Sequence, residues 1–349
     1  VTVAVVGASA AGLMAAIEAA RAGAEVVALD GARTLGAKIL VSGGGRCNVT
    51  HHAVDESAFA GSTRPAIRKV LRRYDVAQTV RFFEGVGVAL KREDTGKLFP
   101  VSDRARTVLD ALLRAAHDTG VTLRHPWRVE AIERTAGGFR LRSATGDTLE
   151  AARVVLATGG RSLPKTGSDG HGYALARALG HTVTPRVLPA LVPLTLPADH
   201  PLRALAGVAA PARLEVRAGS GRPLVAFEGA LLCTHFGLSG PVVLDVSRYW
   251  ITARLDDPAA TLVAGWTPGR RRDEVEADLR TLGAGTVGGL LERWMPERLA
   301  RVLCALASVD AAQRGHRLTR SERIRLVRTL FELPLPVAGD RGFNFAEVT

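Results

Sequence analysis

At 349 residues and 47% hydrophobic content, the chain is long enough for two or three cores, and no apolar run approaches the ~20 residues of a membrane span. The cysteines Cys47, Cys233 and Cys304 are far apart, odd in number and without CxxC spacing, which argues against a disulfide framework or a zinc site and for a reducing cytoplasm. The net charge of +12 invites a nucleic-acid reading, but the basic clusters Arg64-Arg68-Lys69-Arg72-Arg73 and Arg314-Arg317-Arg320-Arg323-Arg325-Arg328 fall on helix-like stretches without interleaved aromatics, and read as solvated faces.

Val3 to Val6 is a short apolar run that predicts a buried strand. Gly7-Ala8-Ser9-Ala10-Ala11-Gly12 follows at once, then a small-residue helix from Leu13 to Ala20. A second apolar run, Val26 to Leu29, ends at Asp30, eighteen positions past Gly12. Strand, glycine turn, helix, strand and acid form a dinucleotide fingerprint: backbone close to a pyrophosphate, helix N–H groups facing its charge, an acid for the ribose. Ser9 replaces the middle glycine and must turn its side chain away or bond a phosphate itself.

Further on, Ser42-Gly43-Gly44-Gly45-Arg46-Cys47-Asn48 holds three successive glycines, whose ordering entropy suits a loop laid against a ligand. Lys38 and Arg46 are candidates to reach a phosphate. Pro65 to Glu84 reads as one helix. Val86–Leu90 and Lys97–Pro100 read as short strands, and Ser102 or Asp103 as the cap of a helix running to about His117. A strand from Val121 and an antiparallel meander follow: Val129–Ile132, Phe139–Ser143, Thr148–Leu149. It feeds a continuous apolar strand, Val154 to Ala157, that reads as buried and stops at Thr158-Gly159-Gly160, where ligands bind in open α/β sheets.

This plan is that of the two-dinucleotide-binding flavoproteins, and four stretches make the resemblance specific: Lys38 to Asn48 (KILVSGGGRCN), Gly96 to Ser102 (GKLFPVS), Leu156 to Tyr173 (LATGGRSLPKTGSDGHGY) and Cys233 to Pro241 (CTHFGLSGP). Over essentially its whole length the chain resembles the BaiN/YhiN-type flavoproteins of the glutathione-reductase-like superfamily. The resemblance implies an α/β fold with a Rossmann-like FAD/NAD(P)-binding domain and β-meander, interrupted by an inserted β-barrel-like plus all-α region. It implies FAD as cofactor, with Gly7, Ser9, Ala10, Ala11 and Gly12 at the pyrophosphate and Asp30 at the ribose. Lys38, Ser42, Gly43, Gly44, Gly45, Arg46, Cys47 and Asn48 would hold its middle and flavin end, Val129 the adenine, and Ala157, Thr158, Gly159 and Gly160 the ribityl side.

Composition supports an insertion independently, since prolines crowd in at Pro185, Pro189, Pro193, Pro197 and Pro201, followed by strand-like and then helical runs. The expected organisation is 1–188 as the first segment of the FAD-binding domain and 189–335 as insertion. Within it, 189–267 and 331–335 are barrel-like, 268–330 is helical, and 336–349 returns to the first domain. Gly283 to Gly288 also spells GxGxxG, but no strand precedes it, and it reads as a decoy. Chains of the resembling family continue past Thr349, so a fragment, or a shortened member with an open flavin site, is expected.

No catalytic acid or base is fixed by the sequence. His235 is either a proton donor or a histidine satisfied inside a turn. His171 reads as a turn residue, and adjacent His51-His52 do not make a metal pair. Cys47 lacks a partner cysteine, which removes disulfide exchange. The leading expectation is reduction of an activated C=C by NAD(P)H through FAD. The alternatives are a flavin amine oxidase (aminoacetone-type), an RNA-binding or RNA-modifying flavoprotein, or a chain that folds without flavin. The expected partner is a small-molecule substrate, with neither nucleic acid nor a membrane expected.

Overall fold

The computed structural model describes residues 1–349, which divide into two compact units, 1–186 and 187–349. In the first, β1 (Thr2–Val6), α1 (Ala10–Arg21), β2 (Glu25–Leu29) and α2 (Ala37–Val41) precede a short strand, β3 (Thr50–His51), and two helices, α3 (Arg64–Leu71) and α4 (Val76–Gly85). Then come β4 (Leu90–Arg92), β5 (Lys97–Pro100), α5 (Ala105–Asp118), β6 (Thr122–Arg124), the meander β7 (Val129–Thr135), β8 (Gly138–Ser143) and β9 (Thr148–Ala151), β10 (Arg153–Leu156) and α6 (His171–Ala178).

The parallel sheet runs β10-β1-β2-β6. Alternation along its strands divides it into two faces. Val3, Val5, Val26 and Ala28 pack with Leu13 and Ile17 of α1 and Leu109 and Leu112 of α5. Ala4, Val6, Val27 and Leu29 pack with Ile132 and Leu141 of the meander and Leu175 of α6. Leu13, Ile17 and Leu141 are completely buried, worth about 1.5–3 kcal/mol each. Crossovers on both faces leave the carboxyl ends of β1, β2 and β10 side by side.

The second unit holds β11 (Leu194–Thr195), β12 (Ala209–Arg217), β13 (Pro223–Thr234), β14 (Gly237–Ser239), α7 (Pro241–Asp256), β15 (Thr261–Gly265), α8 (Arg272–Thr281), α9 (Val287–Leu291), α10 (Glu297–Leu306), α11 (Arg320–Glu332), β16 (Leu333–Leu335) and β17 (Gly339–Asp340). Its seven strands form one antiparallel sheet, β16-β15-β12-β13-β14-β11-β17, whose ends do not pair, so the barrel-like region takes the form of an open sheet. One core joins it to the helices through Leu214, Leu231, Leu262, Trp266, Leu303 and Leu330.

Several local expectations are corrected. Pro65–Glu84 is two helices, because the Asp75 carboxylate accepts from Gln78 N at 2.8 Å and starts α4 anew. Neither Ser102 nor Asp103 caps α5: Asp103 is drawn to Lys91 and Arg46, and the cap is Arg104 without a side-chain bond. The strand Val154–Ala157 lies at the sheet edge, with Val155 and Leu156 each 36% exposed. Residues 336–349 pair within the second unit instead of returning to the first: β17 with β11, and Val348 with Ala190. The GxGxxG at 283–288, in contrast, agrees with its reading as a decoy: it follows a helix and supplies the Thr286 cap of α9.

Candidate dinucleotide site

The turn after β1 is set by close backbone approach. Gly7 has φ +99°, and a Cβ there would lie 2.4 Å from the Ala157 carbonyl oxygen. At Gly12 a Cβ would lie 1.7 Å from the Gly7 oxygen, so α1 can fold down onto the turn only without a side chain. Ser9 solves the missing middle glycine with extended backbone, φ −100° and ψ −159°, and its side chain makes no capping bond. The first-turn N–H groups of α1 therefore lack both helical partners and a side-chain cap.

Asp30 sits at the tip of β2. Its Oδ2 accepts from Ala8 N at 2.7 Å and its Oδ1 from Ala32 N at 2.8 Å, so the carboxylate braces the glycine turn. Each oxygen keeps a further acceptor site. Across from it, Lys38 on α2 donates to the Ser162 carbonyl at 2.7 Å and hydroxyl at 2.8 Å, and burial lowers its pKa. The ammonium keeps one N–H to give.

These groups line a cavity of about 630 Å³ at the carboxyl edge of the sheet, within the size range of small-molecule sites. Gly7, Ser9, Ala10, Ala11, Asp30, Lys38, Val129, Ala157, Thr158 and Gly159 form its wall. A second cavity of about 200 Å³ shares Ser9, Ala10 and Lys38 and adds Ser42, Cys47 and Asn48. Gly12 lies behind the wall as packing.

Gly43, Gly44, Gly45, Arg46 and Gly160 line neither cavity. Arg46 stacks over Phe99 at 4.1 Å and is held by Glu93 and Asp103, pinning the loop by its outer side. Gly43 has φ +56°, with Asn48 N 2.7 Å from any added Cβ. Cys47 itself sits at φ +62°, is buried, and has its pKa raised by desolvation, partly offset by a bond with Ser42.

Sequence reasoning missed the far end of the cavity, lined by Trp127, Arg128, Asp169, His171 and Tyr173. Arg128 bridges Glu130 at 2.8 Å and Asp169 at 2.9 Å, tying the meander to the start of α6. Burial would raise the Asp169 carboxyl, but the His171 amide and Arg128 together hold it below the usual range. His171 Nε2 is buried without a hydrogen bond, 3.8 Å from Glu130. Gly159 and Gly172 were the available signal, since added Cβ atoms would meet Ser168 Oγ at 2.6 Å and Thr158 Oγ1 at 1.9 Å.

Other candidates stand apart from the cavity. His51 bonds the Ala53 and Thr95 carbonyls, and His52 bonds Gly96 and Arg92. In the second unit, His235 is an exposed turn residue, edge-on to Phe236, and the His235 carbonyl accepts from Arg203 at 2.7 Å. No helix is long and apolar enough to cross a membrane.

The profile of the family described as HI0933-like protein Rossmann domain matches residues 1–302. A 3-dehydro-bile acid delta(4,6)-reductase of Clostridium scindens is 33% identical over 99% of this chain and 84% of its own. A ribosomal RNA dihydrouridine synthase of Escherichia coli is 30% identical over 99% of this chain and 83% of its own. A solved 3-ketosteroid-delta4-(5alpha)-dehydrogenase of Rhodococcus jostii is 16% identical, with TM-score 0.43, covering 92% of this chain and 80% of that one.

Proposed function

The chain belongs to the HI0933-like Rossmann family of FAD-dependent oxidoreductases, and from that premise we propose that it reduces a carbon–carbon double bond conjugated to a carbonyl group, with NAD(P)H as electron source. The names of the two relatives support this class. By their names, one reduces the delta-4 and delta-6 double bonds of a 3-oxo bile acid and the other the double bond of a uracil ring, in each case conjugated to a carbonyl.

FAD, when bound, supplies the hydride chemistry. The chain holds and orients it. The observation that carries the reading is the uncapped start of α1 in the wall of the larger cavity, beside a carboxylate already fixed to the turn. The amides of Ala10 and Ala11 would face the pyrophosphate, Asp30 would accept from a ribose hydroxyl, and Lys38 would place its charge along the phosphates. Val129 would meet the adenine. Thr158 and Gly159 would lie along the ribityl chain, and Ser42, Cys47 and Asn48 would serve the flavin end.

Anaerobic titration of the flavin-loaded protein tests the reading. The expected result is bleaching of the flavin absorbance by NADPH or NADH, and its return on adding an α,β-unsaturated ketone. Bleaching by aminoacetone alone, reversed only by oxygen, would replace the reductase with an amine oxidase. A protein that stays colourless after soaking in FAD would overturn the flavin reading itself.

A further inference from the structure

The two arginine-rich stretches have different fates. Around α11 three of the six guanidinium groups are used internally: Arg325 donates to the Ala307 carbonyl at 2.9 Å, Arg323 to Leu318 at 3.1 Å and Arg314 to Ala284 at 2.6 Å, while Arg317, Arg320 and Arg328 are exposed. The apolar side of α11, with Leu326, Val327 and Leu330, is buried. On α3 no residue is buried, and its main packing partner is the short turn Glu56–Ala58. Arg68 pairs with Glu56, while Arg64, Lys69, Arg72 and Arg73 are exposed and make no ion pair or side-chain hydrogen bond.

Helices shorter than about 12–15 residues are marginal in water and draw most of their stability from packing an apolar face. The eight-residue α3 has only a Thr63 cap and Pro65 in its first turn to favour it. Val70 is 70% exposed, and Phe59 and Tyr74, which flank the helix, are 47% and 41% exposed. Such a helix presents its charge outward.

We propose that α3 and its flanking residues form an RNA-docking surface. The inference rests on the double-bond reading above, because the C5=C6 bond of uracil, conjugated to the C4 carbonyl, is a double bond of that kind within an RNA base. Arg64, Arg68 and Arg72 recur every four residues, about 6 Å apart along the axis, with Lys69 and Arg73 in an adjoining row. Rows of this kind follow a phosphate backbone and gain from counterion release. Guanidinium planes and exposed aromatic rings also stack on unpaired bases, which is how RNA loops are gripped. A membrane surface fits less well, since two turns of helix offer little apolar face to insert.

The test uses the flavin-loaded full chain and a fluorescein-labelled, uridine-containing RNA stem-loop, with binding read by anisotropy between about 50 and 200 mM KCl. Replacing Lys69→Gln, Arg72→Gln and Arg73→Gln together is expected to weaken binding tenfold or more. It should also make the slope of log affinity against log salt shallower by about 2, at roughly 0.7 per lost phosphate contact. Arg320→Gln with Arg328→Gln on α11 should leave both unchanged. Should the triple variant fail to fold, Arg73→Gln alone is expected to change the slope by about 0.7. Flavin absorbance and its bleaching by NADPH should be intact throughout, which separates this proposal from the cofactor reading. An unchanged slope in the α3 variant, equal loss in the α11 variant, or α3-dependent binding to phosphatidylserine vesicles without RNA binding would each overturn it.

Discussion

Asp30 serves two purposes that one substitution can separate from simple burial. Asp30→Ala removes the acceptor of the Ala8 and Ala32 amides as well as the ribose partner, and should weaken FAD binding by roughly 1–3 kcal/mol, the range for charged hydrogen bonds. Flavin fluorescence titration reads this as a rise in Kd of about 5- to 150-fold, and an unchanged Kd would show that the fingerprint is misplaced. The glycines make a sharper pair. Gly12→Ala forces a Cβ into the Gly7 carbonyl and should cost about 3 kcal/mol or more with loss of bound flavin, whereas Gly44→Ala meets no atom within 4 Å and pays only the left-handed backbone penalty of about 1–2 kcal/mol. Thermal melts and flavin content of the purified variants check both. Positions of this kind were legible because steric necessity leaves a trace in residue type. Arg128, Asp169 and His171 were not, since their meeting depends on α6 folding back over the start of β7. Arg46 looked like a phosphate ligand because nothing in its neighbourhood of sequence reveals Glu93 and Asp103.

Elements were legible where one period held from end to end. The strands β1, β2 and the meander kept their alternation or apolar run, and α5 its apolar stripe. The break between α3 and α4 escaped notice because apolar residues continue across it, and a capping box at Asp75 and Gln78 decides the restart. Asp75→Ala should therefore fray α4 at a cost of about 0.5–2 kcal/mol, seen as faster amide exchange over residues 76–80. Protection unchanged there would mean that packing alone starts the helix. The last residues were misplaced for a related reason. Short runs such as Leu335–Val337 carry no label of their sheet, and the pairing of β17 with β11 lies far apart in sequence.

At the scale of the whole molecule, ionisation sets the limits of stability. In the second unit, burial would raise the Glu332 carboxyl, but Arg217 and Arg272 hold it below its ordinary value; in the first, Asp169 is likewise depressed and Glu56, beside Arg68, falls to about 2. A carboxylate with depressed folded pKa contributes stability that is present above its unfolded value near 4 and lost as pH falls through the folded value. Acid also removes negative charge from a chain already at +12, so repulsion grows in the same direction. At the other end, burial pushes the Cys233 and Cys304 thiols up to about 11, so above pH ~9 the unfolded chain loses protons that the folded one keeps, and stability falls again. The urea midpoint should accordingly rise from pH ~3 to ~5, hold through neutrality and decline from about 9 to 11. Replacing Cys233→Ala and Cys304→Ala should flatten only the alkaline arm; a decline of the same steepness in that double variant would place its cause elsewhere.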